Sequence, residues 1–524
     1  MRVRLCKLRG RRLPFTFRSC KHKLHSDFPE YALATAIDPQ LHLLTRTPAS
    51  ARRVRYVGAG CDVFEALLAK RNPAARLVED RPEALVLADF SALQKDPSPL
   101  EALAPGGAVT IVLPPGPVEA ARAVLARLSE LGVVHLRLLP ARSGSGLFDD
   151  RAADLAGLGP LPPQATAEAL VAVGRKGPCP EPLHLHKVAF APRLMDIRTR
   201  LPAHALRSEA SMVVSYRHAP FNSLPELPAE TPKVLVLQRP AESRSEVWLR
   251  SMEECNRRGW LVVVEQDDHP QLIAETLAVP LSGFEWTRMG LVHAVQTSTP
   301  SLAAAFARFN PEVKIFSNAL FELRPPPGPR PRRVFYGALS RGPLAAEVAG
   351  SLASTVARFP DLEFVVVHDR AVFDALPTRR KTFYEPMPYE GYLDLMASCA
   401  VSLTPLARGP HVEAKSDAKF LDAAACGAVT LGSASVYAES IRHGETGLIA
   451  RRLEDWAPLL TEVLADEPFR RRMAEAAYAE VRSHRMFADQ VAEREAWYSS
   501  LWERREALQA AFRRRAAEYK CAMA

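Results

Sequence analysis

Short apolar runs alternate with amphipathic stretches along most of the chain. Residues 53–60 (RVRYVGAG) and 108–114 (AVTIVLP) predict strands, and 119–132 (EAARAVLARLSELG) predicts a helix. The pattern returns at 233–238 (KVLVLQ), 259–266 (GWLVVVEQ) and 294–298 (AVQTS), with a helix at 301–310 before the strand-like 313–318 (VKIFSN). A third set of strands is predicted at 332–338 (RRVFYGA), 362–368 (LEFVVVH), 400–406 (AVSLTPL) and 428–433 (AVTLGS). Helical periods at 343–359, 389–399 and 417–426 separate them. Such alternation predicts α/β domains built on doubly wound sheets. From about 454 to 520 the period is helical throughout.

Two proline-rich breaks, 174–182 (GRKGPCPEP) and 324–333 (RPPPGPRPRR), have no period and read as linkers. They predict a basic segment 1–25, a first unit 26–175, a second unit 186–323, a third unit 333–480 and C-terminal helices 481–524. A length of 524 residues fits several cores rather than one.

The composition, 48% hydrophobic and 24% charged, is that of a soluble globular protein. The net charge of +9 sits at the start of the chain. Residues 1–25 hold nine Lys and Arg and no acid, which leaves 59 basic against 59 acidic residues elsewhere. No nucleic-acid partner is therefore expected. The segment suits weak contact with an anionic membrane surface, or is a solvated end. No secretory signal or membrane-length apolar run is found, and the eight cysteines form no CxxC. A reducing cytoplasm, with an alternative at the inner membrane face, is the expected compartment.

The stretch 413–433 (EAKSDAKFLDAAACGAVTLGS) places lysines at the start of a helix, where the dipole is already positive. Ser416 or Asp417 is a plausible N-cap, and Lys415, Lys419 and Asp422 fall on one face at i, i+4, i+7. A helix start with added lysines suits an anion of more than one charge, such as a diphosphate, and Asp422 suits a ribose diol. A plain surface helix has the same spacing. Upstream, the strand 332–338 runs into a loop that puts Gly337 and Arg341 beyond a strand end, where open α/β sheets bind ligands.

In the second unit, 260–270 (WLVVVEQDDHP) delivers Glu265, Asp267, Asp268 and His269 to a strand end. Three readings stay open: acceptor binding or proton transfer by Asp268 or His269, a cap made by Asp267, or a divalent-cation site. Arg198 or Arg200 in 196–206 (DIRTRLPAHAL) suits a phosphate, or is a solvated helix start.

The ordered run FYGALSRGP, FVVVH, YEPMPYEGYLDLMASC, KSDAKFLDAAACGAVTLGS and GETGLIA over 333–480 resembles the nucleotide-sugar-binding domain of GT-B glycosyltransferases, in the retaining branch. The resemblance implies two Rossmann-like domains in the GT-B arrangement. It implies a donor site of Gly337, Arg341, Lys415, Lys419 and Asp422, with Asp422 at the ribose and the cations at the diphosphate. It implies a cleft lined by Arg198, Asp267, Thr299 and Asn318, with Asp268, His269 and Lys419 nearest the chemistry and no metal. Relatives carry a glutamate eight positions before the Asp422 place, and here Ala414 stands there with Glu413 beside it.

Residues 54–64 (VRYVGAGCDVF) and 100–114 resemble pieces of a class I S-adenosylmethionine methyltransferase. Tyr56 replaces the expected acid and Asp62 the third glycine, so the resemblance implies a shortened Rossmann-like domain that has lost its cofactor. The expected activity is sugar transfer from a nucleotide-diphosphate sugar to a saccharide or protein acceptor, with no cofactor required. The alternatives are an additional active methyltransferase, or an inactive GT-B scaffold.

Overall fold

The chain is described by a computed structural model over residues 46–113, 118–140, 170–191, 196–218, 224–240, 244–277, 280–338, 341–409 and 411–523. The basic segment 1–25 lies outside the described residues.

Three six-stranded sheets follow one another. The first contains β1 (Arg53–Val57), β2 (Arg76–Leu77), β3 (Ala84–Leu87), β4 (Ala108–Leu113), β5 (Val133–Pro140) and β6 (Leu170–Lys176), in the order β2-β1-β3-β4-β6-β5. β6 runs antiparallel to β4 and β5, and the other pairings are parallel. Gly58 ends β1 at a φ of +138°, and a Cβ there would meet the Ala88 Cβ at 2.4 Å, so the close approach of β1 and β3 requires glycine. Tyr56 stacks on Phe64 with ring centroids 4.7 Å apart and donates its hydroxyl to the Ala59 carbonyl at 2.6 Å.

The second sheet contains β7 (Leu183–Ala189), β8 (Met212–His218), β9 (Lys233–Gln238), β10 (Leu261–Glu265), β11 (Ala294–Thr297) and β12 (Val313–Ile315), all parallel, in the order β12-β11-β10-β9-β7-β8. The third contains β13 (Arg333–Tyr336), β14 (Glu363–Val367), β15 (Lys381–Tyr384), β16 (Val401–Thr404), β17 (Val429–Ser433) and β18 (Leu448–Ala450). Its order, β15-β14-β13-β16-β17-β18, is that of a Rossmann fold with the switch point between β13 and β16. Both sheets are buried on both faces: every residue of β9, β10 and β17 is buried.

The helix predicted over 343–359 is two, Pro343–Ser351 and Ala353–Arg358. The terminal helices Ala488–Glu503 and Arg505–Met523 leave the third unit and return to the second. Val491, Trp497, Tyr498 and Leu501 enter the core formed by Leu183, Val234 and Leu261, while Phe512 and Ala516 join Trp260 and Val262. Each large side chain buried there contributes about 1.5–3 kcal/mol.

The first unit docks on the second through buried polar contacts. The Ser50 amide and hydroxyl donate to Glu209 at 3.0 and 2.8 Å, the Ala49 amide donates to Ser208 Oγ, and Arg137 donates to the Met212 carbonyl. Burial pushes the Glu209 carboxyl up to about 7, against the pull of Ser50 and Arg71. Its folded value lies above its unfolded one, so its contribution is fully present below about pH 4.5 and is lost as pH rises to about 7. Relative to Glu209→Gln, the natural chain loses about 3 kcal/mol across that window. Thermal melts of both proteins at pH 5 and 8 measure this. Parallel pH profiles would show that Glu209 is ionised throughout.

Candidate functional site

The carboxyl end of β13 lies at the switch point of the third sheet. Gly337 follows it, and a Cβ there would meet the rings of Phe335 and Tyr392 at 2.5 Å. Tyr392 donates its hydroxyl to the Gly337 carbonyl at 3.0 Å, which holds the chain where it leaves β13. Two buried nitrogens of Arg341, Nε and Nη1, have no hydrogen-bond partner.

The helix of the stretch 413–433 runs over Ala418–Ala425. Neither predicted N-cap side chain caps it. Asp417 pairs instead with Arg485 at 2.8 and 2.9 Å and accepts from Ser440, and Ser416 Oγ accepts from Asn318. Lys415 precedes the helix, so it does not share a helical face with Lys419 as the spacing suggested. It reaches across to the second unit, with Nζ 3.3 Å from Asp268 Oδ1. Lys419 Nζ donates to Tyr392 Oη at 2.9 Å and lies 3.8 Å from Asp422 Oδ2.

Asp422 is 4% exposed, accepts from Tyr389 Oη at 2.6 Å through Oδ1, and has no hydrogen-bond partner at the buried Oδ2. Burial lowers the pKa of both lysines, and the Arg341 charge adds to the lowering on each. Asp268 and Asp422 partly oppose that lowering. Burial raises the Asp422 carboxyl against the opposing Lys419. The result is a cationic wall with one orphaned carboxylate oxygen, suited to a polyanion that also carries hydroxyls.

The second unit supplies the facing wall. Arg239, in a left-handed conformation at φ 48° just after β9, binds Asp267 through Nε and Asp268 through Nη2. Its guanidinium fills the place that a divalent cation between the carboxylates would take. Asp267 does not cap the following helix; His269 does, with Nδ1 accepting from the Gln271 amide at 3.2 Å. His269 also stacks on His411 of the third unit, with centroids 4.2 Å apart.

Arg198 is 4% exposed and is held by Glu265 at 2.7 Å and by Asn318 Oδ1 at 2.8 Å, so it braces the wall instead of facing open space. Thr299 caps the helix Pro300–Ala307 and donates to the Ala414 carbonyl at 3.0 Å. Asn318 donates to Ser416 Oγ at 2.7 Å. Thr299, Asn318 and Asp268 therefore converge on 414–416. Ala414 is buried and uses its backbone to join the units.

Sequence reasoning missed Arg239, Tyr389, Tyr392 and His411. The helical spacing of Tyr389 and Tyr392 was visible, but nothing local tied them to Asp422 and Lys419, 33 and 27 residues away.

No curated protein matches the chain by sequence. Among solved structures, it is similar to a mutant of S. aureus TarM in complex with fondaparinux, alpha-GlcNAc-glycerol and UDP, at 9% identity and TM-score 0.39, over 51% of this chain and 55% of that one. It is similar to the pneumococcal O-GlcNAc transferase GtfA in complex with UDP and GlcNAc, at 12% identity and TM-score 0.40, over 52% and 56%. It is also similar to Anabaena HepE in complex with UDP and glucose, at 14% identity and TM-score 0.42, over 61% and 99%. The chain thus spans about half the length of the first two. Residues 347–496 match the family model described as Glycosyl transferase-like, a span that holds Lys415, Lys419 and Asp422 but begins after Gly337 and Arg341. The similarity to the glycosyl transferase-like family thus lies in the third unit and the start of the terminal helices.

Proposed function

We propose that the protein transfers a sugar from a nucleotide-diphosphate sugar to a saccharide or protein acceptor bound between the second and third units. The observation that carries the reading is the set of lysines at one helix start, with Lys419 3.8 Å from Asp422 and Lys415 3.3 Å from Asp268 of the facing wall. The cations take the diphosphate and stabilise the charge that grows on it as the glycosidic bond breaks. Asp422 accepts from the ribose. Asp268 and His269, on the facing wall, meet the acceptor, and the departing diphosphate serves as the base, so no protein nucleophile is invoked. The first unit acts as a docked body without cofactor chemistry, a reading supported by Tyr56, whose ring and hydroxyl are engaged by Phe64 and Ala59.

A thermal-shift panel of UDP, GDP, ADP, TDP and CMP and their sugars tests the donor site. One diphosphate raises the melting temperature, since a ligand at a hundred times its Kd stabilises by about 2.7 kcal/mol. No response to any of them overturns the reading.

A further inference from the structure

The helices Tyr389–Ala397 and Ala418–Ala425 face each other through two pairs of side chains, each spaced i, i+3. Tyr389 and Tyr392 stack with centroids 6.3 Å apart at 15°, and they meet Asp422 and Lys419 respectively. The Tyr392 hydroxyl is fully engaged: it accepts from Lys419 and donates to Gly337. The Tyr389 hydroxyl has one role, donation to Asp422 Oδ1 at 2.6 Å. Burial raises the Tyr389 pKa well above its ordinary value, so the hydroxyl keeps the proton it donates.

The two oxygens of Asp422 are therefore unequal. Oδ1 is a charged acceptor that takes a short bond from the Tyr389 hydroxyl, the strong kind. Oδ2 is buried and has the Lys419 ammonium 3.8 Å away but no hydrogen bond, which marks it as the oxygen with room for a donor.

We propose that Tyr389 is a specificity-determining residue of the donor site: it occupies one oxygen of Asp422, so the site recognises a single ribose hydroxyl and not the 2′,3′-diol. This rests on the donor-site reading above. A free carboxylate would accept both hydroxyls, and loss of either would weaken binding. Here only the hydroxyl that reaches Oδ2 matters, and a nucleotide lacking the other is still accepted. Tyr389 acts through Asp422 and touches no reacting atom in this scheme.

Calorimetric titration of the full chain with UDP, GDP and ADP identifies the nucleotide taken, and its 2′-deoxy and 3′-deoxy analogues then test the proposal. In the natural protein one analogue binds about tenfold or more weakly, as expected for a hydrogen bond to a charged group, while the other stays within about threefold of the parent. In Tyr389→Phe, which frees Oδ1 while keeping the ring, both analogues bind about tenfold more weakly than the parent. Equal weakening by both analogues in the natural protein overturns the proposal alone and needs no variant. An unchanged pattern in a folded Tyr389→Phe protein does the same. Absence of binding by these three diphosphates and by the rest of the thermal-shift panel overturns the donor-site reading and this proposal together.

Discussion

Replacing Lys415 and Lys419 together with alanine removes nucleotide-diphosphate binding and leaves the chain folded. Each ammonium contributes a hydrogen bond between charged groups, about 1.5–3 kcal/mol apiece, so the pair amounts to about two to four orders of magnitude in Kd. Neither lysine sits in an apolar core: their side chains are 21% and 28% exposed. Asp268 keeps Arg239 and Asp422 keeps Tyr389, so neither carboxylate is stranded by the double change.

The single variants separate. Lys415→Ala also uncovers Oδ1 of Asp268, the oxygen that Arg239 does not hold, and a carboxylate oxygen facing the site repels a diphosphate. It is therefore more damaging than Lys419→Ala, and Asp268→Asn restores part of the loss. A calorimetric cycle over Lys415 and Asp268 reads this directly. Unchanged affinity in the double alanine variant would show that the lysines only join the units and stiffen the loop.

The parallel sheets were legible because strands such as β9 and β10 are unbroken apolar runs. β7 (LHLHKVA) and β8 (MVVSYRH) were not read as strands, because polar side chains interrupt them. Lys187, fully buried on β7, is tolerated beside Glu265 at 3.4 Å, a partner 78 residues away that no local pattern reveals. The pair β5 and β6 escaped notice because the residues that join them carry no period.

At the site, the residue types were legible and their geometry was not. The expected lysine face carried the helical spacing back through the cap to Lys415, yet residues 414–416 lie in a turn whose contacts are Thr299 and Asn318. Asp417 looked like a cap because it precedes a helix, but Arg485, 68 residues on, offers a charge. Tertiary ion pairing outweighed a local hydrogen bond of about 1 kcal/mol. The cluster at 267–269 raised a metal because the sequence places two carboxylates together. It did not show that Arg239 reaches both.

Acidification from pH 7 to 4 unfolds the second unit, and with it the support for the other two. Four histidines there are held neutral, chiefly by burial: His184 and His186 on β7, pushed down to about 4, His204 to about 2, and His293 to about 3. Neighbouring arginines add to each effect: Arg137, Arg217, Arg207 and Arg515 respectively. His293 shows why protonation is disruptive. Its Nδ1 accepts the Val262 amide at 2.9 Å, so Nε2 carries the proton and donates to Asn256 Oδ1 at 3.0 Å. A second proton on Nδ1 would face an N–H at the start of β10. All four folded values lie below the unfolded value of 6.5, so the stability they contribute is present above pH 6.5 and is lost as pH falls toward the folded values. By pH 4 each has cost about 3 kcal/mol, and four such terms rival the 5–15 kcal/mol typical of a whole domain. Glu209 acts in the opposite direction but offsets only about 3 kcal/mol. Trp248 and Trp260, both buried in this unit, report the transition by fluorescence. In His293→Asn the amide oxygen still accepts from Val262, and one site of proton uptake is gone. That variant is about 1 kcal/mol less stable at pH 8, yet its acid transition is shallower and its midpoint moves to lower pH. The same midpoint and steepness in both proteins would place the acid-sensitive groups elsewhere in the chain.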